Sequence, residues 1–267
     1  MLNCIIFLFF LSILSVDYTS TKRCPGFHNA MYKSHHFLGG VIIDALDLNW
    51  QLFSVDSAKI ITGIAPFFIT ARMIDEDFQS NFYNPKCHKN KNQLPQNCHK
   101  AAQAGVSIPM VFLSSLWIWG WNEDIKYTGR MTAIGLPFVH SGKNIIKKVE
   151  SRCCLRPWHE DFSKEKRASG GFPSGHMANV TFLATLWGLR HGPRWAIPLA
   201  LFAGFVFADF VNCNRHYISQ LIAGAGFGVL YAVAANKVIE KRLSNDLSIG
   251  FSFNEHGGAS MCVGYRF

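Results

Sequence analysis

Gly170-Gly171-Phe172-Pro173-Ser174-Gly175-His176 is the stretch on which the fold turns, because it leads into the helix-like run Met177 to Leu189. Two glycines and a proline make a tight turn, and a Ser before an apolar periodic run marks a helix start. The first N–H groups of a helix lack partners inside it, and its dipole favours negative charge there. The amides after Pro173 and the Ser174 hydroxyl therefore suit a phosphate, and His176 stands beside that anion, placed to donate a proton. A Pro-Ser-Gly-His tetrapeptide alone is a common helix start, and a lone histidine is usually a hydrogen-bonded polar residue. Its neighbours decide the reading.

Upstream, Lys147-Lys148 and Leu155-Arg156-Pro157 supply cations; downstream, Asn214-Arg215-His216-Tyr217-Ile218-Ser219-Gln220 opens another apolar run with a second histidine. Taken in order, Lys…Arg-Pro, Pro-Ser-Gly-His and His-Tyr-x-Ser-x resemble the phosphatidic acid phosphatase type 2 / vanadium haloperoxidase superfamily over about residues 145–240. The resemblance implies a phosphate cage from Lys148, Arg156, Ser174 and the Gly175 amide, with His216 as nucleophile and His176 as general acid. Two places depart from the family pattern. Its first motif is Lys, six residues, then Arg-Pro; Val149 holds that Lys position here, and Lys148 sits one residue early. Its third motif has Ser-Arg six to seven residues before the His and Asp four after it; here these positions read Asp209-Phe210 and Gln220. Arg215, next to His216, is the candidate to replace the missing arginine. Gln220 can orient the histidine, whereas a carboxylate would also stabilise its charged form.

The chain has 267 residues, 49% hydrophobic and 16% charged, which is rich in apolar groups for a single soluble domain. A net charge of +9 fits nucleic acid, anionic lipid or a phosphate substrate. Nucleic acid is the weakest of these: no zinc-finger spacing, RNA-binding aromatic signature or long basic helix is visible. The expected class is all-α, a membrane-embedded helical bundle with a short C-terminal β-hairpin. Residues 1–20 read as a signal peptide or N-terminal anchor, 21–245 as the helical domain with its motif core at 145–240, and 246–267 as the hairpin tail.

Within the domain, Ser57 to Ile74 reads as a helix kinked at Pro66, and Asp75 to Lys100 as a polar loop. Ala104 to Trp121 is an uncharged apolar run ending in Trp117-Ile-Trp119-Gly-Trp121, a belt suited to a membrane boundary. His28 to Trp50 is uninformative, and the His35-His36 pair reads as solvated loop. Tyr127 to Glu150 delivers Lys147 and Lys148 toward the site, and Arg152, Lys164, Lys166 and Arg167 crowd the loop after it. Trp195 to Val211 and His216 to Glu240 are further helical runs, the last carrying Ala223-Gly-Ala-Gly-Phe-Gly228, small residues that permit close helix approach. Arg190, Arg194, Lys237, Lys241 and Arg242 fall on one side of the spans, cytoplasmic by the positive-inside rule, so the site faces outward. Cys87 and Cys98 bracket a polar loop that a disulfide could staple, and their spacing does not suit zinc.

The chemistry these readings lead to is a metal-independent phosphatase acting on a lipid phosphate, of phosphatidic acid or polyprenyl diphosphate type, through a phosphohistidine. It needs no cofactor and no metal, and its partners are a phosphorylated lipid and the membrane. Two alternatives stand beside it: a degenerate, non-catalytic lipid-phosphate binder, and a vanadate-dependent haloperoxidase. The expected location is a bacterial-type inner membrane with the site facing the periplasm; an exported periplasmic bundle is the alternative.

Overall fold

The computed structural model describes residues 39–84, 86–91, 93–149, 155–159, 169–244, 247–253 and 259–265. The chain divides into two units, Met1–Ile43 and Asp44–Phe267, and apart from residues 39–43 the fold and site below lie in the second. Residues 1–20, His35-His36, and the basic residues Arg152, Lys164, Lys166 and Arg167 lie outside the described residues.

Seven helices are described: α1 (residues 39–51), α2 (Val55–Gln79), α3 (Gln96–Trp119), α4 (Glu123–Val149), α5 (Gly175–His191), α6 (Pro193–Asn212) and α7 (Ile218–Ser244). Strands β1 (Tyr83–Asn84) and β2 (Lys89–Asn90) pair antiparallel, as do β3 (Leu247–Phe253) and β4 (Ala259–Tyr265) in the register Leu247↔Tyr265 to Phe253↔Ala259.

Helices α2, α3, α6 and α7 are each long and apolar enough to cross a membrane. Their outer sides carry exposed Phe67, Ile69 and Met73 on α2, Ile108, Val111 and Ile118 on α3, and Ile197 and Leu201 on α6. So much apolar surface is unfavourable in water and suits lipid, so the chain is a membrane protein. Trp119 and Trp121 are exposed at the end of α3, and Arg130 lies 5.7 Å over the ring of Trp117.

Helix α5 is the centre of the bundle, with Val180, Phe182, Leu183, Leu186 and Trp187 wholly buried. Trp187 Nε1 donates to Thr132 Oγ1 of α4 at 3.0 Å, which satisfies its polar edge inside the core. The small-residue run of α7 is where α5 comes close. A Cβ on Gly228 would overlap Thr181 Oγ1 and the Ala178 carbonyl and lie 2.8 Å from Phe182 N; one on Gly224 would lie 2.5 Å from Ser174 O. Only glycine lets these backbones approach so closely.

Four differences from the sequence reading have physical causes. Helix α3 begins at Gln96 rather than Ala104 because its polar first turns pack on α6, with Ala102 buried and His99 paired to Asp209. Helix α2 continues past Ile74 to Gln79, since Asp75 and Gln79 are buried against the start of α7 and the end of α6. The uninformative stretch before Trp50 is helical: Leu48 is buried, and Asp44 pairs with Arg130 and Arg242. The staple expected between Cys87 and Cys98 is not made; both are free, and the β1–β2 hairpin structures that loop instead.

Candidate active site

Four segments meet at one end of the bundle: the last turns of α4, residues 155–159, the turn into α5, and residues 213–217 before α7. Ser174 holds two of them together, its N–H donating to Gln220 O at 3.0 Å. It is the N-cap of α5 with extended backbone, and its fully buried Oγ makes no hydrogen bond among the described residues. A buried hydroxyl without a partner is unfavourable, and an anion at the α5 N-terminus would supply one.

His216 is buried, and its surroundings fix its tautomer. Gln220 Nε2 donates to Leu155 O at 2.8 Å, which turns Oε1 toward the histidine. That Oε1 already accepts from Tyr217 N–H at 3.3 Å, and His216 Nδ1 lies 3.2 Å from it. An oxygen of this kind can only accept, so Nδ1 carries the hydrogen and Nε2 keeps its lone pair. Burial, and then the Arg156 charge, hold His216 well below the ordinary histidine range, so it is neutral near pH 7.

The cations differ from the sequence reading in one position. Lys148, expected in the cage, is exposed. Lys143 and Lys147, four residues apart on the same face of α4, turn inward instead. Lys143 packs against Gly175, its Cδ 2.7 Å from where a Cβ would stand, and donates to His140 Nδ1 at 3.2 Å; Lys147 Cδ is 4.0 Å from the corresponding point at Gly170. Arg156 Nη1 donates to Arg215 O at 3.5 Å. The charges oppose one another: burial and then Arg215 lower Arg156, burial and then Arg156 lower Lys143, and Lys147 falls to about 8 through burial, Lys143 and Arg156. His176, in the first turn of α5, is lowered by burial and by Lys143, Arg156 and Lys147. Like charges held this close favour binding of an anion.

Phe210, where the family pattern has arginine, fills the space with its ring. Its centroid lies 5.1 Å from that of His176, 5.8 Å from His216 and 5.7 Å from His99. Its carbonyl accepts from Arg215 N and His216 N, tying the loop to the end of α6.

Sequence reasoning missed the residues that hold this loop. Asn214 has a left-handed backbone (φ 53), which Asn tolerates better than most residues, and its Nδ2 donates to Phe82 O at 2.8 Å and Asn90 Oδ1 at 3.0 Å. Asp75 of α2 accepts from Ser219 N at 3.1 Å and from Ser219 Oγ, capping α7, and Tyr217 Oη donates to Glu76 at 2.7 Å. Lys143 was legible in principle as the partner of Lys147 at helical spacing; the contacts of Asp75 and Glu76, more than 140 residues away in sequence, were not.

Residues 131–244 match the PAP2 superfamily. A segment of 131 residues is 30% identical to the lipid A 1-phosphatase of Porphyromonas gingivalis, covering 46% of this chain and 27% of that protein, so the chain spans little more than a quarter of that curated relative. A transmembrane PAP2-type phosphatidylglycerolphosphate phosphatase from Bacillus subtilis is similar at 16% identity, over 76% of this chain and 95% of that one, with a TM-score of 0.37. The matched segment contains Arg156-Pro157, the Pro-Ser-Gly-His turn and His216, and it ends at Ser244, the last residue of α7, so the similarity to the PAP2 superfamily covers the part of the chain that builds this site.

Proposed function

We propose that this protein is a phosphatase that hydrolyses a phosphate ester on a membrane lipid through a phosphohistidine at His216, with no metal ion in the transfer. The observation that carries the reading is the gathering of Lys143, Lys147, Arg156 and Arg215 around two histidines at a helix N-terminus. His216 Nε2 attacks phosphorus, the bond from phosphorus to the ester oxygen breaks, and His176 protonates the departing alkoxide. Lys143, Lys147, Arg156 and the Gly175 N–H hold the equatorial oxygens, where charge accumulates. Water then cleaves the N–P bond, giving its proton to His176 and releasing phosphate. A bound anion offsets the cations that depress His176, so the imidazole takes up the proton it must donate.

The exposed apolar helices supply the tail-binding environment, so the substrate class is an amphiphile: phosphatidic acid, a polyprenyl diphosphate, or a glycolipid phosphate of the kind named for the Porphyromonas relative. Arg190, Lys237, Lys241 and Arg242 lie at the other end of the bundle, which supports a site facing the periplasm. The test is phosphate release from short-chain phosphatidic acid, an undecaprenyl diphosphate analogue and lipid A by the detergent-purified protein and its His216→Ala variant. Release by the wild type alone supports the reading, and equal release by both removes His216 from the role. A second reading, a binder without turnover, rests on Phe210 and Gln220 at the arginine and aspartate positions; it predicts that vanadate stabilises the wild type while no substrate yields phosphate.

A further inference from the structure

At the same end of the bundle lies a cluster that the proposed chemistry does not use. His99 stands in the first turn of α3, Asp209 in the last turn of α6, and Cys213 caps α6. Their ligand atoms all lie within 4.8 Å of one another. His99 Nδ1 is 2.7 Å from Asp209 Oδ2, and Cys213 Sγ donates to Asp209 Oδ1 at 3.6 Å. We propose that His99, Asp209 and Cys213 form a metal site of zinc type that joins α3 to α6.

The spacing suits such an ion. With metal–ligand bonds of about 2.0–2.3 Å in tetrahedral geometry, neighbouring donor atoms stand roughly 3.3–3.8 Å apart, so the pairs seen, from 2.7 Å to within 4.8 Å, adjust by about 1 Å at most when the ion enters. One nitrogen, one oxygen and one sulfur donor favour a borderline-soft ion such as zinc over magnesium or calcium, which take oxygen. Asp209 and Cys213 are buried and four residues apart, so they project to the same face of α6, and His99 completes the set from α3. The far nitrogen of His99 already has a partner, Gln103 Nε2 at 2.8 Å. When Nδ1 binds the ion its hydrogen passes to Nε2, and Gln103 then accepts it through Oε1 after a rotation of its amide. Such a hydrogen bond to the far nitrogen is what orients a metal-bound histidine. Cys213 binds as thiolate, its proton passing to solvent. The fourth position falls at the rim, where the His99 side chain is 14% exposed and Cys98 adjoins it, which gives the ion a way in.

The phosphatase reading neither requires this site nor supplies it: the ion braces Phe210, whose ring packs on His99, and takes no part in bond making. Spacing in the sequence could not show it, because His99 and Asp209 are 110 residues apart.

The test uses the full chain in detergent, stripped with chelator, passed through a desalting column and titrated with cobalt(II) as the probe. The expected result is a tetrahedral visible spectrum with a thiolate-to-cobalt charge-transfer band, complete at about one equivalent and bleached by zinc. Cys87→Ser retains the band. Cys213→Ser abolishes it, and His99→Gln weakens cobalt binding at least tenfold. Each variant is accepted only if its circular dichroism and elution match the wild type. Absence of the band in wild type, or its persistence in folded Cys213→Ser, overturns the proposal. Phosphatase activity enters none of these readouts, so the two proposals fail separately.

Discussion

A methyl group added at Gly224 tests whether the α5 turn and the His216 loop are one rigid unit. The new Cβ would stand 2.5 Å from Ser174 O and 3.2 Å from both Ser174 N and Ser174 Cβ. Unstrained carbon contacts lie near 3.5 Å, so the turn and α7 must part by about 1 Å. Ser174 N–H donates to Gln220 O, and Gln220 orients His216, so that movement separates the amides proposed to bind phosphate from the nitrogen proposed to attack it. Overpacking of this kind costs about 1–3 kcal/mol, and a displacement of 1 Å in reacting groups costs on the order of 100-fold in rate. Gly204→Ala is the control, because nothing lies within 4 Å of a Cβ there. Gly224→Ala is expected to lower kcat for phosphate release by about 100-fold while the melting temperature drops by several degrees. Gly204→Ala is expected to keep kcat and to hold or raise the melting temperature. A folded Gly224→Ala protein with wild-type kcat would refute the reasoning.

Two further predictions follow from the site. Gln220→Leu removes the acceptor that His216 Nδ1–H and Tyr217 N–H share, which costs about 1–3 kcal/mol; kcat should fall roughly 5- to 150-fold while vanadate affinity, read by thermal shift, changes little. Lys147, at about 8 in the free protein, is charged below that pH and neutral above it, and a bound anion holds its proton more tightly. Vanadate affinity is therefore expected to be flat below pH 8 and to weaken by up to about tenfold per pH unit above it. Lys147→Met should bind more weakly at pH 7 and lose that added slope; a wild type whose affinity is level from pH 7 to 9.5 would contradict the assignment. The same shift bears on stability. A lysine depressed in the folded state contributes stability that is present above its unfolded range, near 10.5, and is lost as pH falls to about 8.

The parts of the fold written in local pattern were legible. The apolar runs marked the helices, the small residues from Ala223 to Gly228 marked a close contact, and the Pro-Ser-Gly-His turn marked the start of α5. What the sequence could not show depended on partners distant along the chain. Helix α3 starts eight residues before its apolar run because His99 and Ala102 pack on α6, and no hydropathy pattern records that. The lysine nearest in sequence to the family position, Lys148, lies on the outer face of α4, whereas Lys143 and Lys147 lie on the inner one; the rotation of a helix about its axis is set by tertiary packing. Phe210 read as the loss of a phosphate ligand, and in the structure it is also a wall on which three histidines pack. Asn214, Asp75 and Glu76 were unremarkable as sequence, and their importance is visible only as hydrogen bonds to the loop that carries His216.

The most direct test of the central claim is to trap the covalent intermediate. Detergent-purified protein is mixed with substrate bearing a labelled phosphoryl group, quenched in alkali within milliseconds and digested for mass spectrometry. Phosphohistidine survives alkali, so the account predicts a labelled peptide containing His216, phosphorylated at Nε2, absent from His216→Ala and enriched in a His176→Ala variant given a substrate with a good leaving group. Labelled phosphate released by the wild type with no His216 adduct at any quench time, or an adduct on another residue, would contradict it.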